Sequence, residues 1–172
     1  ELARLIFGAD RRKRGKILRD GREVRIHNTQ DAVKNGISYL SEDRKGNGLA
    51  VNLSVEDNIA LPDWELFTRN GVIQFQKVKE AAQKAVDEVG IKTPSTAQIV
   101  SNLSGGNQQK VVIGKWLLKN SEIFIFDEPT RGIDVGAKNE IYKLMEELIY
   151  NGKSIIMISS EMPVLLRMSD RI

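Results

Sequence analysis

The sequence predicts an α/β fold: a mostly parallel sheet, one short antiparallel hairpin and a helical insert. Three observations predict it. Ile123-Phe124-Ile125-Phe126 and Ile155-Ile156-Met157-Ile158 are continuous apolar runs, as expected of buried parallel strands. Between them Ala137 to Tyr150 carries Ile141, Leu144, Met145, Leu148 and Ile149 on one helical face, which makes a strand–helix–strand crossover. From Ser54 to about Ser101 the pattern turns helical with no clear strand, as an insert would.

The elements follow in order. Glu1 to Phe7 reads as the end of a helix, with Leu2, Leu5 and Ile6 on one face and Gly8 stopping it. Lys16 to Arg19 and Glu23 to Ile26 flank Asp20-Gly21, the dipeptide of a tight primed turn, so they form a hairpin. Thr29 to Asn35 is a short helix with Thr29 as N-cap and Gly36 beyond its end. Ile37 to Leu40 is a strand that runs into Ser41-Glu42-Asp43-Arg44. Lys45 to Val51, with Gly46 and Gly48, is a loop.

Ser54-Val55-Glu56-Asp57 has the form of a capping box, opening a helix that Pro62 ends. Val78, Ala81, Ala82, Ala85, Val86 and Val89 fall on one helical face. Glu161 to Met168 begins a last helix, after Asn151-Gly152 has ended the one before.

Composition bounds the function. The 172 residues fit one domain, 41% hydrophobic and 28% charged, in the ordinary globular range. The longest apolar runs fall far short of the ~20 residues that span a bilayer. There is no cysteine, and His27 stands alone, which argues against thiolate or histidine metal sites. Net charge is +3, and Arg11-Arg12-Lys13-Arg14 accounts for more than the excess. No aromatic residue is interleaved with that run, so it reads as a solvated turn, and no nucleic-acid partner is expected.

The chemistry concentrates in two stretches. Leu103-Ser104-Gly105-Gly106-Asn107-Gln108-Gln109 feeds an apolar helix, Lys110 to Leu118. A glycine-rich turn at a helix N-terminus gathers unpaired N–H groups at the positive end of the dipole, an anion site. Ser104 either caps the helix or donates to a phosphate oxygen. Gly105 and Gly106 let a ligand approach the main chain. Asp127-Glu128-Pro129-Thr130 ends the strand Ile123 to Phe126, with Asp127 lying 23 residues after Ser104. Asp127 suits a Mg²⁺ ligand, and Glu128 suits a group that orients or deprotonates an attacking water. If the strands are parallel, Ser41-Glu42-Asp43, Asp127-Glu128 and Ser159-Ser160-Glu161 line one edge of the sheet, where α/β ligands bind.

These stretches, with Gly132-Ile133-Asp134, resemble an ATP-binding-cassette (ABC) ATPase: its signature, its Walker B segment with catalytic Glu128, and its D-loop. The asparagine between Gly106 and Gln108, with Ser41-Glu42-Asp43-Arg44-Lys45 and Thr130 to Gly136, narrows the resemblance to the second cassette of ribose-type and other monosaccharide importers. The resemblance implies an ABC-type P-loop core over 1–53 and 102–172, a helical subdomain over about 54–101, and a phosphate-gripping loop lying before Glu1. It implies ATP and Mg²⁺ as cofactors. Ser104, Gly105, Gly106 and Gln108 would face ATP held by a second cassette, and Asp134 would sit in the D-loop. Glu42 would take the family's glutamine position beside the metal, and Ser159 or Ser160 its switch-histidine position.

A carboxylate at Glu42 adds repulsion near phosphates, and serine cannot act as a cation or base near neutral pH. The cis site is therefore expected to be impaired, with the signature serving in trans. Implied partners are a second cassette, membrane permease subunits and, indirectly, a periplasmic sugar-binding protein. The implied location is the cytoplasmic face of the inner membrane, bound peripherally. A DNA-repair or chromosome-type ATPase shares the motifs, yet would need long heptad arms that are missing here. A silent structural cassette is the other alternative.

Overall fold

A computed structural model describes residues 1–172. Three parallel strands in the order β3-β6-β7 form the sheet: β3 (Ile37–Leu40), β6 (Ile123–Asp127) and β7 (Ser154–Ile158). Leu40 pairs with Phe126, and Asp127 with Ile158, so the three strands end level. The polar clusters that follow them share one sheet edge.

α1 (Leu2–Ile6) precedes the hairpin β1 (Ile17–Arg19) and β2 (Arg22–Val24). Asp20 and Gly21 both take positive φ, 51° and 75°, as a primed turn requires. α2 (Thr29–Lys34) is capped one residue earlier than expected. The Asn28 side chain accepts from the Asp31 N–H, which makes Thr29 the first helical residue. After β3, residues Arg44–Gly48 form a π-helical turn where a plain loop was expected, because the Asp43 carboxylate accepts the Gly46 N–H at 2.9 Å and fixes the chain.

α3 (Val55–Ala60) has the predicted capping box, Ser54 with Asp57. The segment that follows holds a surprise: β4 (Thr68–Arg69) and β5 (Val72–Ile73) form a small hairpin where no strand was expected. Its strands are two residues long with every residue exposed to solvent, so no alternating burial marks them. The turn at Asn70-Gly71 takes positive φ at both residues. α4 (Phe75–Val89) starts before Val78 and ends at Gly90, φ 67°. α5 (Gly105–Leu118) is capped by Ser104, and α6 (Val135–Tyr150) by Asp134, two residues ahead of the expected start. α7 (Met162–Met168) closes the chain.

Phe124, Ile125 and Phe126 are fully buried, as predicted for a central strand. β7 differs. Ile156 and Ile158 are 42% and 37% exposed, so this strand is covered on one face only. It is the edge of the sheet, and α6 packs on a single side of it. The core around β6 is continuous with the insert: Val55, Ile59, Ala82 and Val86 belong to the same buried cluster as Phe124 and Ile113.

A polar tie reinforces the junction. Lys110 on α5 donates to the Gly90 carbonyl and to Glu140 on α6, both at 2.8 Å. With Lys92 also on it, the Glu140 carboxylate is held down to about 2.

Lys115, one turn on, is 8% exposed and bonds the Gly48 carbonyl with no carboxylate beside it. Burial lowers its pKa from 10.5 to about 8. Below pH 8 the folded and unfolded chains both carry this proton. Between about 8 and 10.5 the folded chain holds fewer protons, so stability rises with pH. The gain is expected to be on the order of 3 kcal/mol. Denaturant unfolding at a series of pH values should show this slope, and Lys115→Met should flatten it.

Candidate functional site

Asp127 is the last residue of β6, and its Oδ2 accepts the Tyr39 hydroxyl from β3 at 2.6 Å. Partial burial and the nearby carboxylate push the Tyr39 phenol up to about 12, so it stays a donor. Oδ1 remains free of protein hydrogen bonds.

Glu128 follows at φ 49°, a left-handed conformation that costs a non-glycine residue about 1–3 kcal/mol. Its N–H donates to the Ile158 carbonyl at 2.9 Å, so β7 holds the strained turn. Its Oε1 accepts the Ser160 N–H at 2.5 Å. The structure thus joins Glu128 to the Ser159-Ser160 segment directly. Ser159 itself accepts the Glu161 N–H at 3.1 Å, turning the chain into α7. Glu161 in turn pairs with Lys138 at 2.7 Å.

The signature turn lies at the N-terminus of α5. Ser104 is exposed and accepts twice, from the Asn107 N–H at 3.4 Å and from Asn107 Nδ2 at 3.0 Å. Asn107 is held by the Lys92 N–H on its Oδ1 at 2.8 Å. Both donors approach the serine oxygen from within the turn, so its own O–H is left to donate to a ligand.

Two residues of this turn face inward. Gln108 is 3% exposed, and its Nε2 donates to the Val100 and Leu103 carbonyls at 3.2 and 3.1 Å. It braces the turn from inside. Gly106 is buried as well, and an ideal Cβ there would sit 2.6 Å from Cβ of Ala137. Close packing of α5 on the start of α6 requires this glycine, whatever a ligand needs. Gly105 remains at the surface edge, beside Arg44 and the Gly132 carbonyl.

Glu42 meets another partner. Its carboxylate is paired with the Arg131 guanidinium and does not join Asp127 in a ligand set. Opposite charge within contact reach has taken it. No group of three or more His, Cys, Asp or Glu side chains is placed to hold a metal. Mg²⁺, however, ordinarily takes one or two carboxylates and completes its shell with water and phosphate oxygens. The free oxygen of Asp127 fits that share of the work. Asp134 accepts the Ala137 N–H at 2.9 Å and caps α6.

Sequence reasoning gave no role to Tyr39, Arg44 or Arg131. The first sits inside a strand, where an aromatic residue reads as core. The other two lie in motifs whose spacing says nothing of which backbone they reach.

A cleft of about 980 Å³ opens on another side, between α2, residues 61–65 and the end of α5, with Asn47 at its edge. Phe7, Asn47, Leu61, Trp64, Lys115 and Trp116 are among its walls. No helix is long and apolar enough to cross a membrane.

Comparison with known proteins agrees with this geometry. A putative ribose/galactose/methyl galactoside import ATP-binding protein of Agrobacterium fabrum is 54% identical over all of this chain and 34% of its own length. A xylose import ATP-binding protein of Thermoanaerobacter pseudethanolicus is 53% identical with the same coverage. The chain therefore spans about a third of the length of these relatives.

Among solved structures, a nucleotide-free cassette from an ABC transporter superposes with TM-score 0.78 at 18% identity, covering 98% of this chain and 68% of that one. A dimeric cassette bound to ADP and phosphate gives 0.74 at 20%, covering 95% and 70%. At those identities the likeness is one of fold. The sequence profile described as ABC transporter matches residues 1–131. With its signature turn at Ser104, its strand-end Asp127-Glu128 and the Asp134 loop in one parallel α/β frame, the chain belongs to the ABC transporter family.

Proposed function

We propose that this chain is part of the second cassette of a monosaccharide importer's ATPase, and that its main catalytic contribution is made in trans. The observation that carries the reading is the exposed Ser104 at the N-terminus of α5, its hydroxyl proton unused and Gly105 beside it. That combination suits the terminal phosphate of ATP held by a second cassette.

The cis side is weaker. Asp127 supplies one oxygen toward Mg²⁺, which when bound would neutralise phosphate charge. Glu42 is engaged by Arg131, and the switch position holds serine, which leaves Glu128 positioned by a backbone N–H alone. Glu128 can still orient a water, but no side chain here exchanges a proton with it near neutral pH.

The 980 Å³ cleft beside the Arg44–Gly48 turn suits a segment of a membrane permease, so that closure of two cassettes would move the membrane subunits. The protein would then lie peripherally on the cytoplasmic face of the membrane. The printed names of the relatives support ribose, galactose or xylose as cargo.

The full-length ATPase, assembled with its permease in lipid vesicles, should hydrolyse ATP faster when a binding protein loaded with one of these sugars is added. Turnover indifferent to every pentose and hexose tried would refute the sugar assignment.

A further inference from the structure

Between β3 and the signature turn lies an arginine to which the family reading above gives no role. Arg44 leaves the chain where Asp43 caps the π-helical turn, so its backbone is fixed. Its Nη1 donates to the Arg131 carbonyl at 2.9 Å, and Nη2 lies 3.5 Å from the Gly132 carbonyl. The same Nη2 lies 2.9 Å from where a Cβ on Gly105 would stand. Nε is buried with no partner, while the two Nη groups reach the Arg131 and Gly132 carbonyls at the exposed edge of the half-buried side chain. Two residues back, Glu42 pairs with the side chain of Arg131. One short loop therefore grips residues 131–132 twice, by side chain and by main chain, and places the Arg44 guanidinium beside Gly105.

We infer that Arg44 is a positioning residue that clasps the Asp134 loop to the signature turn, so that Ser104-Gly105 and Asp134 meet a partner cassette as one rigid face. The inference rests on the trans reading above. Its chemistry is that of a planar fork. A guanidinium holds its donors in a rigid planar fork that can bridge two adjacent carbonyls, whereas an ammonium is a compact point charge on a flexible stem and does not fix that geometry. Gly105 is thus small on behalf of Arg44 as well as of any ligand. Because the clasp spans loop 41–48, whatever moves that loop moves both trans-facing segments together.

The test uses the full-length protein and two independent readouts. The amides of Arg131 and Ile133 bond within their turn, to Glu128 and Thr130 carbonyls, so their hydrogen exchange reports its order without nucleotide. Arg44→Ala should speed exchange there about tenfold or more while leaving the core amides of β6 slow. It should also lower kcat for ATP about tenfold with little change in KM, because the affected surface acts on the closed state. Arg44→Lys, keeping the charge and N–H donors but not the planar fork, should recover part of both.

In an Arg44→Ala background, adding Gly105→Ala should cost less than it does alone, since the nearer of the two atoms it would crowd is gone and only the Gly132 carbonyl oxygen at 3.2 Å remains. Unchanged exchange in Arg44→Ala overturns the clasp. Faster exchange with unchanged kcat overturns its role in positioning. A wild-type protein with no ATP turnover would sink the trans reading and with it the catalytic part, while the exchange result would still decide whether Arg44 holds the two segments together.

Discussion

Replacing Ser104 by arginine in the full-length protein should abolish sugar-stimulated ATP hydrolysis, whereas Glu128→Gln should leave much of it. Ser104 stands at the positive end of a 14-residue helix, exposed, with its hydroxyl proton free. Arginine there puts a cation and a long side chain where an anion has to dock. Loss of one such phosphate-facing donor costs about 10²–10³ in rate, and the added charge and bulk should take the rest.

The fold should survive. The lost cap costs about 1 kcal/mol, and nothing buried is disturbed. On the trans reading proposed above, Glu128→Gln is gentler because Glu42 is tied to Arg131 and serine stands at the switch position that reading assigns. A decline of less than about tenfold is expected, against the 10²–10⁴ at stake for a general base in full use. ATPase assays of both variants in vesicles, with melting curves as controls, decide the matter. If Glu128→Gln alone removed all turnover, the asymmetry would be wrong.

The contrast between these two positions was legible in the sequence because both depend on residue type at a strand or helix end. Parallel pairing of β3, β6 and β7 followed from uninterrupted apolar runs, and the convergence of three polar clusters followed from that pairing. What the sequence withheld depends on reach across the fold. Nothing in Tyr39 announces that its hydroxyl meets Asp127 from the neighbouring strand. Gln108 looks like a polar residue in a binding motif, yet helical geometry turns it inward onto the Val100 and Leu103 carbonyls. Glu42 reads as a metal ligand until Arg131 is seen to arrive from a loop 89 residues away in sequence. The hairpin β4–β5 was hidden for a different reason: strands of two exposed residues carry no periodicity, and only Asn70-Gly71 marks the turn.

Gly106 offers the sharpest separation of packing from catalysis. By intrinsic preference alanine is better than glycine inside a helix by about 1 kcal/mol, and Gly106 does not take the positive φ that would demand glycine. A helix built for stability alone would therefore carry alanine at this position. Packing forbids it: the new Cβ would come within 2.6 Å of Ala137 Cβ, and α5 and α6 would have to part. Such overpacking costs about 1–3 kcal/mol, and the displaced signature turn should lower ATP turnover in parallel.

Gly106→Ala should accordingly unfold at lower denaturant and lose most of its activity. If the glycine is there for the neighbouring helix, Ala137→Gly in the same chain should restore turnover and much of the stability, less about 0.5–1 kcal/mol for a glycine within α6. If instead the glycine is there so that a phosphate can reach the main chain, the double variant should regain stability and remain inactive. Chemical denaturation and ATPase measured on the two single variants and the double variant separate these outcomes. The buried position of Gly106 predicts recovery of both, which would leave Ser104 and Gly105 as the part of the signature that meets the nucleotide.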